Sequence, residues 1–221
     1  MSRRRRGEAD LMRVGLLGGS FDPVHVGHLA MAELARDRAG FDQVWMVPAA
    51  HPPHKPGASL AGFHYRLDML QLALAGHETL RPEPIESSLN PPSYTLQTVK
   101  ALRERHPDHR FSLVMGSDTL HDFPNWHKSL ELAEMLESIV VMPRPGSPVN
   151  HVDANRQDAR IGTSTRVLAD MPILEISSTW LRSAIASGRS VRFLIPRAVE
   201  QFIKEHGLYG YESGTPARGS G

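Results

Sequence analysis

The chain has 221 residues, enough for one α/β domain of ordinary size, and its 40% apolar content suffices for a core. Lys and Arg total 25 against 24 Asp and Glu, so no excess of positive charge points to a nucleic-acid partner. The absence of cysteine excludes disulfides, thiolate metal sites and a cysteine nucleophile, and fits a reducing, cytoplasmic compartment; no apolar run nears the ~18–20 residues that cross a bilayer, so no membrane partner is expected.

Residues 1–11 carry Arg3, Arg4, Arg5 and Arg6 without the apolar stretch of a signal peptide, and are expected to be a disordered, solvated leader. A basic arm that touches RNA or phospholipid is the other reading. Val14–Gly18 is a short apolar run suited to a buried strand. A helical pattern runs from Gly27 to Arg38, with Gly40 as its stop. Val44–Val47 reads as a strand ended by Pro48, and a loop rich in Pro and His follows from Ala49 to Gly57. Phe63, Leu67, Leu70 and Leu74 stand at helical spacing before Gly76.

Ser93 is a fair N-cap for a helix with Leu96, Val99 and Leu102 on its apolar face, ended by Pro107. Phe111–Met115 is expected as a strand, Ser129–Leu136 as a short helix and Ser138–Met142 as a strand stopped by Pro143. Gly146–Ala169 has little periodicity and reads as a long surface loop. Ile173–Ile176 is expected as the last strand, and Ser177, Ser178 and Thr179 as the cap of a helix that ends at Gly188. A final helix starts at Pro196, buries Val199, Phe202 and Ile203, and stops at Gly207; residues 210–221 read as a flexible tail.

Strands that alternate with helices imply parallel strands joined by right-handed crossovers. The expected fold is α/β: a Rossmann-like, doubly wound parallel sheet with helices on both faces, in one domain over residues 12–209. Such sheets bind ligands beyond the carboxyl ends of their strands. The loops after Gly18, Val47, Met115, Met142 and Ile176 should therefore meet at one edge.

Two stretches carry chemistry. The first is Gly18-Gly19-Ser20-Phe21-Asp22-Pro23-Val24-His25-Val26-Gly27-His28. Gly18 and Gly19 let backbone N–H groups approach a phosphate, and Gly27 should leave room for a ligand at the positive end of a helix. His25 and His28, three apart, should share one helix face and donate to phosphate oxygens. Six positions of the form G-x-F-x-P-x-H-x-G-H match by chance less than about once in 10⁷. The second is Ile176-Ser177-Ser178-Thr179-Trp180-Leu181-Arg182, where a hydroxyl-lined helix start suits an anion and Arg182 could add a forked contact one turn in.

The first stretch resembles the H-x-G-H signature of the nucleotidyltransferase superfamily, and the second the I-S-S-T-x-[IL]-R motif of the same group. Pro52-Pro53-His54-Lys55 is similar to the P-P-H-K loop of the bacterial nicotinate-nucleotide adenylyltransferase family. Ser93-Tyr94-Thr95, Gly116-Ser117-Asp118-Thr119-Leu120, Phe123-Pro124-Asn125-Trp126-His127-Lys128 and Met142-Pro143-Arg144-Pro145-Gly146 resemble that family too. A pantetheine-phosphate adenylyltransferase would have Thr in place of the first His.

The resemblance implies a reaction in which the phosphate of nicotinate mononucleotide attacks the α-phosphorus of ATP in line, without a covalent enzyme intermediate. Mg²⁺ would be held mainly by the phosphates, with no metal bound by the protein alone. The implied catalytic residues are His25, His28, Lys55 and Arg182. ATP would be bound by Gly18, Gly19, Ser20, Phe21, His25, His28, Arg144, Ile176, Ser177, Thr179 and Arg182. Nicotinate mononucleotide would be bound by Lys55, Tyr94, Thr95, Asp118, Trp126 and His127, with Trp126 as a stacking surface.

The match departs from the family in two places. Residues 146–169 align poorly, which puts adenine-side contacts in doubt. Ser129 and Leu130 stand where a second aromatic often follows Trp126. Three rivals stay open: a related transferase with another acceptor, a nucleotide-sensing regulator without catalysis, and a tRNA-handling module. The sequence leaves a homo-oligomer open.

Overall fold

In the computed structural model, residues 11–52, 60–144, 164–168, 171–172 and 174–211 are described. The Arg-rich residues 3–6, Lys55, residues 145–163 and the tail from 212 onward lie outside them. Along the chain come β1 (Met12–Gly19), α1 (Val26–Ala39), β2 (Gln43–Pro48), α2 (Phe63–Leu74), β3 (Leu80–Pro82) and α3 (Thr95–Arg105). Then follow β4 (His109–Gly116), α4 (Ser117–Asp122), α5 (Ser129–Glu134), β5 (Ser138–Met142), β6 (Ser164–Val167), α6 (Ser178–Ala186) and α7 (Arg197–Glu205).

The strands form one parallel sheet in the order β3-β2-β1-β4-β5-β6. The order reverses between β1 and β4, so the crevice of a doubly wound sheet opens above Gly19 and Gly116, where these strands end. The expected fold class is the observed one.

Period-two alternation sends neighbouring residues of each strand to opposite faces. Leu17, Met46, Val114, Val140 and Met142 pack with α1, α2, α6 and α7. Leu16, Trp45, Val47, Leu113, Met115 and Val141 pack with α3, α4 and α5. Both faces are covered, which is why the central strands read as near-continuous apolar runs. Gly40 ends α1 at φ 72°, the left-handed conformation of a helix C-cap.

Three expectations about elements are corrected. The sixth strand is Ser164–Val167, inside the stretch read as a loop, and no strand is formed by Leu174–Ile176; Ile173 lies outside the described residues. Among the described residues β6 pairs only with β5, and it stays half exposed, so it lacks the apolar run that marks a central strand. β3, three residues ending in Pro, was too short to leave a pattern, and α4 was hidden behind the Gly116–Leu120 turn. Ser93 does not cap α3: Tyr94 is the N-cap residue, while the Ser93 hydroxyl accepts from the His51 N–H at 2.9 Å and the Ser93 N–H donates to the His51 carbonyl at 3.0 Å.

Candidate active site

Above the crevice lies a cavity of about 810 Å³. Gly18, Gly19, Ser20, His25, His28, Arg144, Ile176, Ser177 and Thr179 line it together with Tyr94, Thr95, Asp118, Trp126 and His127. Segments more than 150 residues apart along the chain thus meet in one space.

The two motifs are bonded to each other. The Ser178 hydroxyl donates to the Pro23 carbonyl at 3.0 Å, and Arg182 Nη1 donates to the Asp22 carbonyl at 2.8 Å. Ser177 caps α6 by accepting from the Trp180 N–H at 3.2 Å. The free N–H groups at the start of α6 and the dipole behind them favour an anion there.

His25 is the N-cap residue of α1; its carbonyl accepts from the N–H groups of His28 and Leu29. Its ring stacks on that of His28 at 3.7 Å between centroids and 26° between planes. Only 2% of His25 is exposed, and its Nδ1 has no hydrogen-bond partner among the described residues. Burial, with the Arg144 charge pushing the same way, pulls its pKa down to about 4. At neutral pH it is a neutral imidazole, a donor without a charge of its own.

The room expected beside Gly27 is taken by this ring: a Cβ there would stand 3.0 Å from His25 Nδ1. Gly27 is therefore needed for the histidine's position more than for direct ligand access. Phe21 also differs from expectation. Its ring is wholly buried and meets His28 edge-on at 4.9 Å, so it supports the histidine, and Phe21 does not line the cavity. Arg182 lies outside the main cavity, in an adjoining hollow that shares Thr179 and includes Leu60, Ala61 and Tyr209.

Asp22, which the motif reading left without a role, is the hub of this side. It is fully buried, and its Oδ1 accepts from the Tyr209 hydroxyl at 2.7 Å and from the Ala61 N–H at 3.2 Å. Burial first, then the Asp22 charge, raises the Tyr209 pKa, so the phenol keeps its proton. Arg66, also buried, donates to the carbonyls of Ser20 at 2.8 Å and Ala61 at 2.9 Å. A Pro-containing loop with Phe21 at φ 47° is held in shape by these contacts.

On the other side of the crevice, Tyr94 and His127 stack at 4.3 Å and 18°, and Trp126 packs on Phe123. Asp118 sits in the first turn of α4, with Oδ2 3.7 Å from Arg144 Nε. Gly116 is required here, because a Cβ would collide with Asp118 Oδ1 and the Arg144 side chain. Glu86, another residue without a motif, also lines the cavity. Among the described residues, no group of three His, Asp or Glu stands close enough to hold a metal ion, and no helix is long and apolar enough to cross a membrane.

The chain matches the family described as Cytidylyltransferase-like over residues 16–184. A curated relative from Salinibacter ruber, named "Probable nicotinate-nucleotide adenylyltransferase", is 42% identical over 90% of this chain and 98% of its own length. One of the same name from Synechococcus sp. is 41% identical over 89% of this chain and 94% of its own. Among solved structures, the Plasmodium falciparum nicotinic acid mononucleotide adenylyltransferase complexed with NaAD is similar at a TM-score of 0.73, with 18% identity over 90% of this chain and 98% of that one. At that identity the likeness speaks for the fold.

Proposed function

Because the chain belongs to the nicotinate-nucleotide adenylyltransferases of the cytidylyltransferase-like family, enzymes of NAD biosynthesis, we propose that it joins ATP and nicotinate mononucleotide into deamido-NAD and pyrophosphate. An oxygen of the mononucleotide's phosphate attacks the α-phosphorus of ATP. The bond from that phosphorus to the bridging oxygen breaks, and pyrophosphate leaves with the electron pair. No protein atom bonds covalently to either substrate.

The observation that carries this reading is the joint cavity, with a stacked imidazole pair and a hydroxyl-capped helix start along one side and an aromatic and carboxylate set along the other. ATP's phosphates lie along Gly18–Ser20 and the start of α6. His25 and His28 donate to the oxygens of the reacting phosphorus, where negative charge grows in the transition state. Arg182, a turn beyond Thr179, adds positive charge at the same end and braces the loop through Asp22. Lys55 adds a point charge on the acceptor's phosphate.

Arg144 accompanies the nucleotide at the end of β5. Tyr94, Thr95, Asp118, Trp126 and His127 take up nicotinate mononucleotide, with the ring against an aromatic face and ribose hydroxyls on Asp118. Mg²⁺ bound to ATP's phosphates would lower the repulsion between the two anionic substrates. The acid is preferred over the amide because a carboxylate gains charge-assisted bonds from N–H donors that an amide cannot match.

The test is pyrophosphate release from ATP and Mg²⁺ with each pyridine mononucleotide in parallel. Turnover with nicotinate mononucleotide is expected to exceed that with nicotinamide mononucleotide by roughly 10²-fold or more in kcat/KM. Equal use of both would end the acid preference; no pyrophosphate with either would end the adenylyl-transfer reading.

A further inference from the structure

The wall of the cavity on the acceptor side is made of two segments that are not neighbours in sequence: Ala49–Pro52, which continues from β2, and Ser93–Thr98, which opens α3. Neither belongs to the other's secondary structure. The pair His51–Ser93 joins them at the surface by two hydrogen bonds. Underneath lies Glu86, from the short helical turn Ile85–Ser88 that follows β3.

Glu86 is 7% exposed, and both its oxygens are engaged. Oε2 accepts from the Ala50 N–H at 3.2 Å, on the first segment. Oε1 accepts from the Thr98 hydroxyl at 2.9 Å, on the second. The Ser93 hydroxyl accepts from the His51 N–H beside them. One side chain therefore bonds to both segments. Burial raises the Glu86 pKa, and its hydrogen bonds with the Arg66 charge act against that rise. A carboxylate kept in so costly a place, with its bonds spent on protein donors, acts through the geometry that it imposes.

We propose that Glu86 is a positioning residue for the acceptor nucleotide: it holds Ala49–Pro52 against the start of α3 and so sets the width of the space that the mononucleotide enters. This rests on the assignment of that wall to nicotinate mononucleotide made above. The ATP side, built from Gly18–Ser20, the two histidines and α6, has no bond to Glu86, so the two substrates should report separately.

The experiment is steady-state kinetics on the full chain, with each substrate varied in turn. Glu86→Ala leaves the Ala50 N–H and the Thr98 hydroxyl without this acceptor, and is expected to raise KM for nicotinate mononucleotide about tenfold while KM for ATP stays within about twofold. Glu86→Gln keeps an oxygen for the Ala50 N–H and offers its amide to Thr98, whose hydroxyl turns to the Tyr94 carbonyl 3.4 Å away; it should restore KM to within about threefold of wild type. If Glu86→Ala does not fold, Thr98→Val removes one strut and should raise the same KM about threefold on its own.

Equal shifts in both KM values, no shift in either, or a Glu86→Gln enzyme as impaired as Glu86→Ala would overturn the positioning role. Wild-type protein that released no pyrophosphate with nicotinate mononucleotide would instead overturn the function on which the role rests.

Discussion

Arg182 Nη1 donates to the backbone carbonyl of Asp22 at 2.8 Å and stands 3.6 Å from the same residue's Oδ2. This contact ties the start of α6 to the loop that presents His25 and His28, across 160 positions of sequence. An arginine read as a phosphate contact is thus also part of the scaffold. Asp22 Oδ2 accepts no hydrogen bond among the described residues, so Arg182 supplies the charge beside it.

Arg182→Ala should therefore lose both activity and stability. Removing the cation from beside a fully buried carboxylate is expected to cost roughly 2–3 kcal/mol. Tyr209→Phe, which deletes the 2.7 Å bond to Asp22 Oδ1 in the adjoining hollow, should cost about 1–2 kcal/mol with a smaller effect on turnover. Urea unfolding and initial rates on both variants check this. Undiminished stability in Arg182→Ala would remove the bracing role.

His28→Ala should leave the fold intact and lower kcat by about 10²–10³, the usual effect of deleting a preorganised donor to a charged transition state. Circular dichroism and single-turnover rates measure the two. A variant that keeps more than about a tenth of wild-type turnover contradicts the assigned role.

The His25 pKa gives a pH dependence with a definite sign. In the unfolded chain the imidazole takes a proton near ~6.5, and in the folded chain only near about 4. Between these values the unfolded state binds more protons, so stability is full above ~6.5 and declines as pH falls towards about 4. The group accounts for up to roughly 3 kcal/mol of that loss. His25→Gln should flatten this part of the profile relative to wild type; an identical slope in both would refute the burial argument.

Gly27→Ala separates stability from activity. Ala has the higher helix propensity by about 1 kcal/mol, so α1 itself should not weaken. The new methyl, 3.0 Å from His25 Nδ1, pushes the ring off its stack on His28, and kcat should fall about tenfold. Thermal unfolding beside steady-state rates distinguishes this from a general loss of fold. Wild-type turnover in the variant would show that the stack is not needed.

Much of the architecture could be read directly from local signals. β1, β2, β4 and β5 announce themselves as apolar runs because both faces of each are covered, and Gly or Pro marks their ends. Among the described residues β6 has one strand neighbour, and half of its residues are exposed, so it carries no such mark. Ser93 has the chemistry of a cap, yet its partner proved to be His51, 42 positions away. Local propensity had no access to that competitor.

The sequence by itself determined the Gly18–His28 and Ile176–Arg182 motifs, the strand before the first of them and the α/β fold class. These depend on spacing, glycine and side-chain type, which are properties of short segments. Only the folded chain decided that Asp22 and Arg182 meet, that Phe21 turns inward, that His25 stays neutral at physiological pH and that Glu86 bridges Ala50 and Thr98. Each of those follows from burial or from a contact between distant segments, and desolvation and packing exist only once the chain has closed on itself.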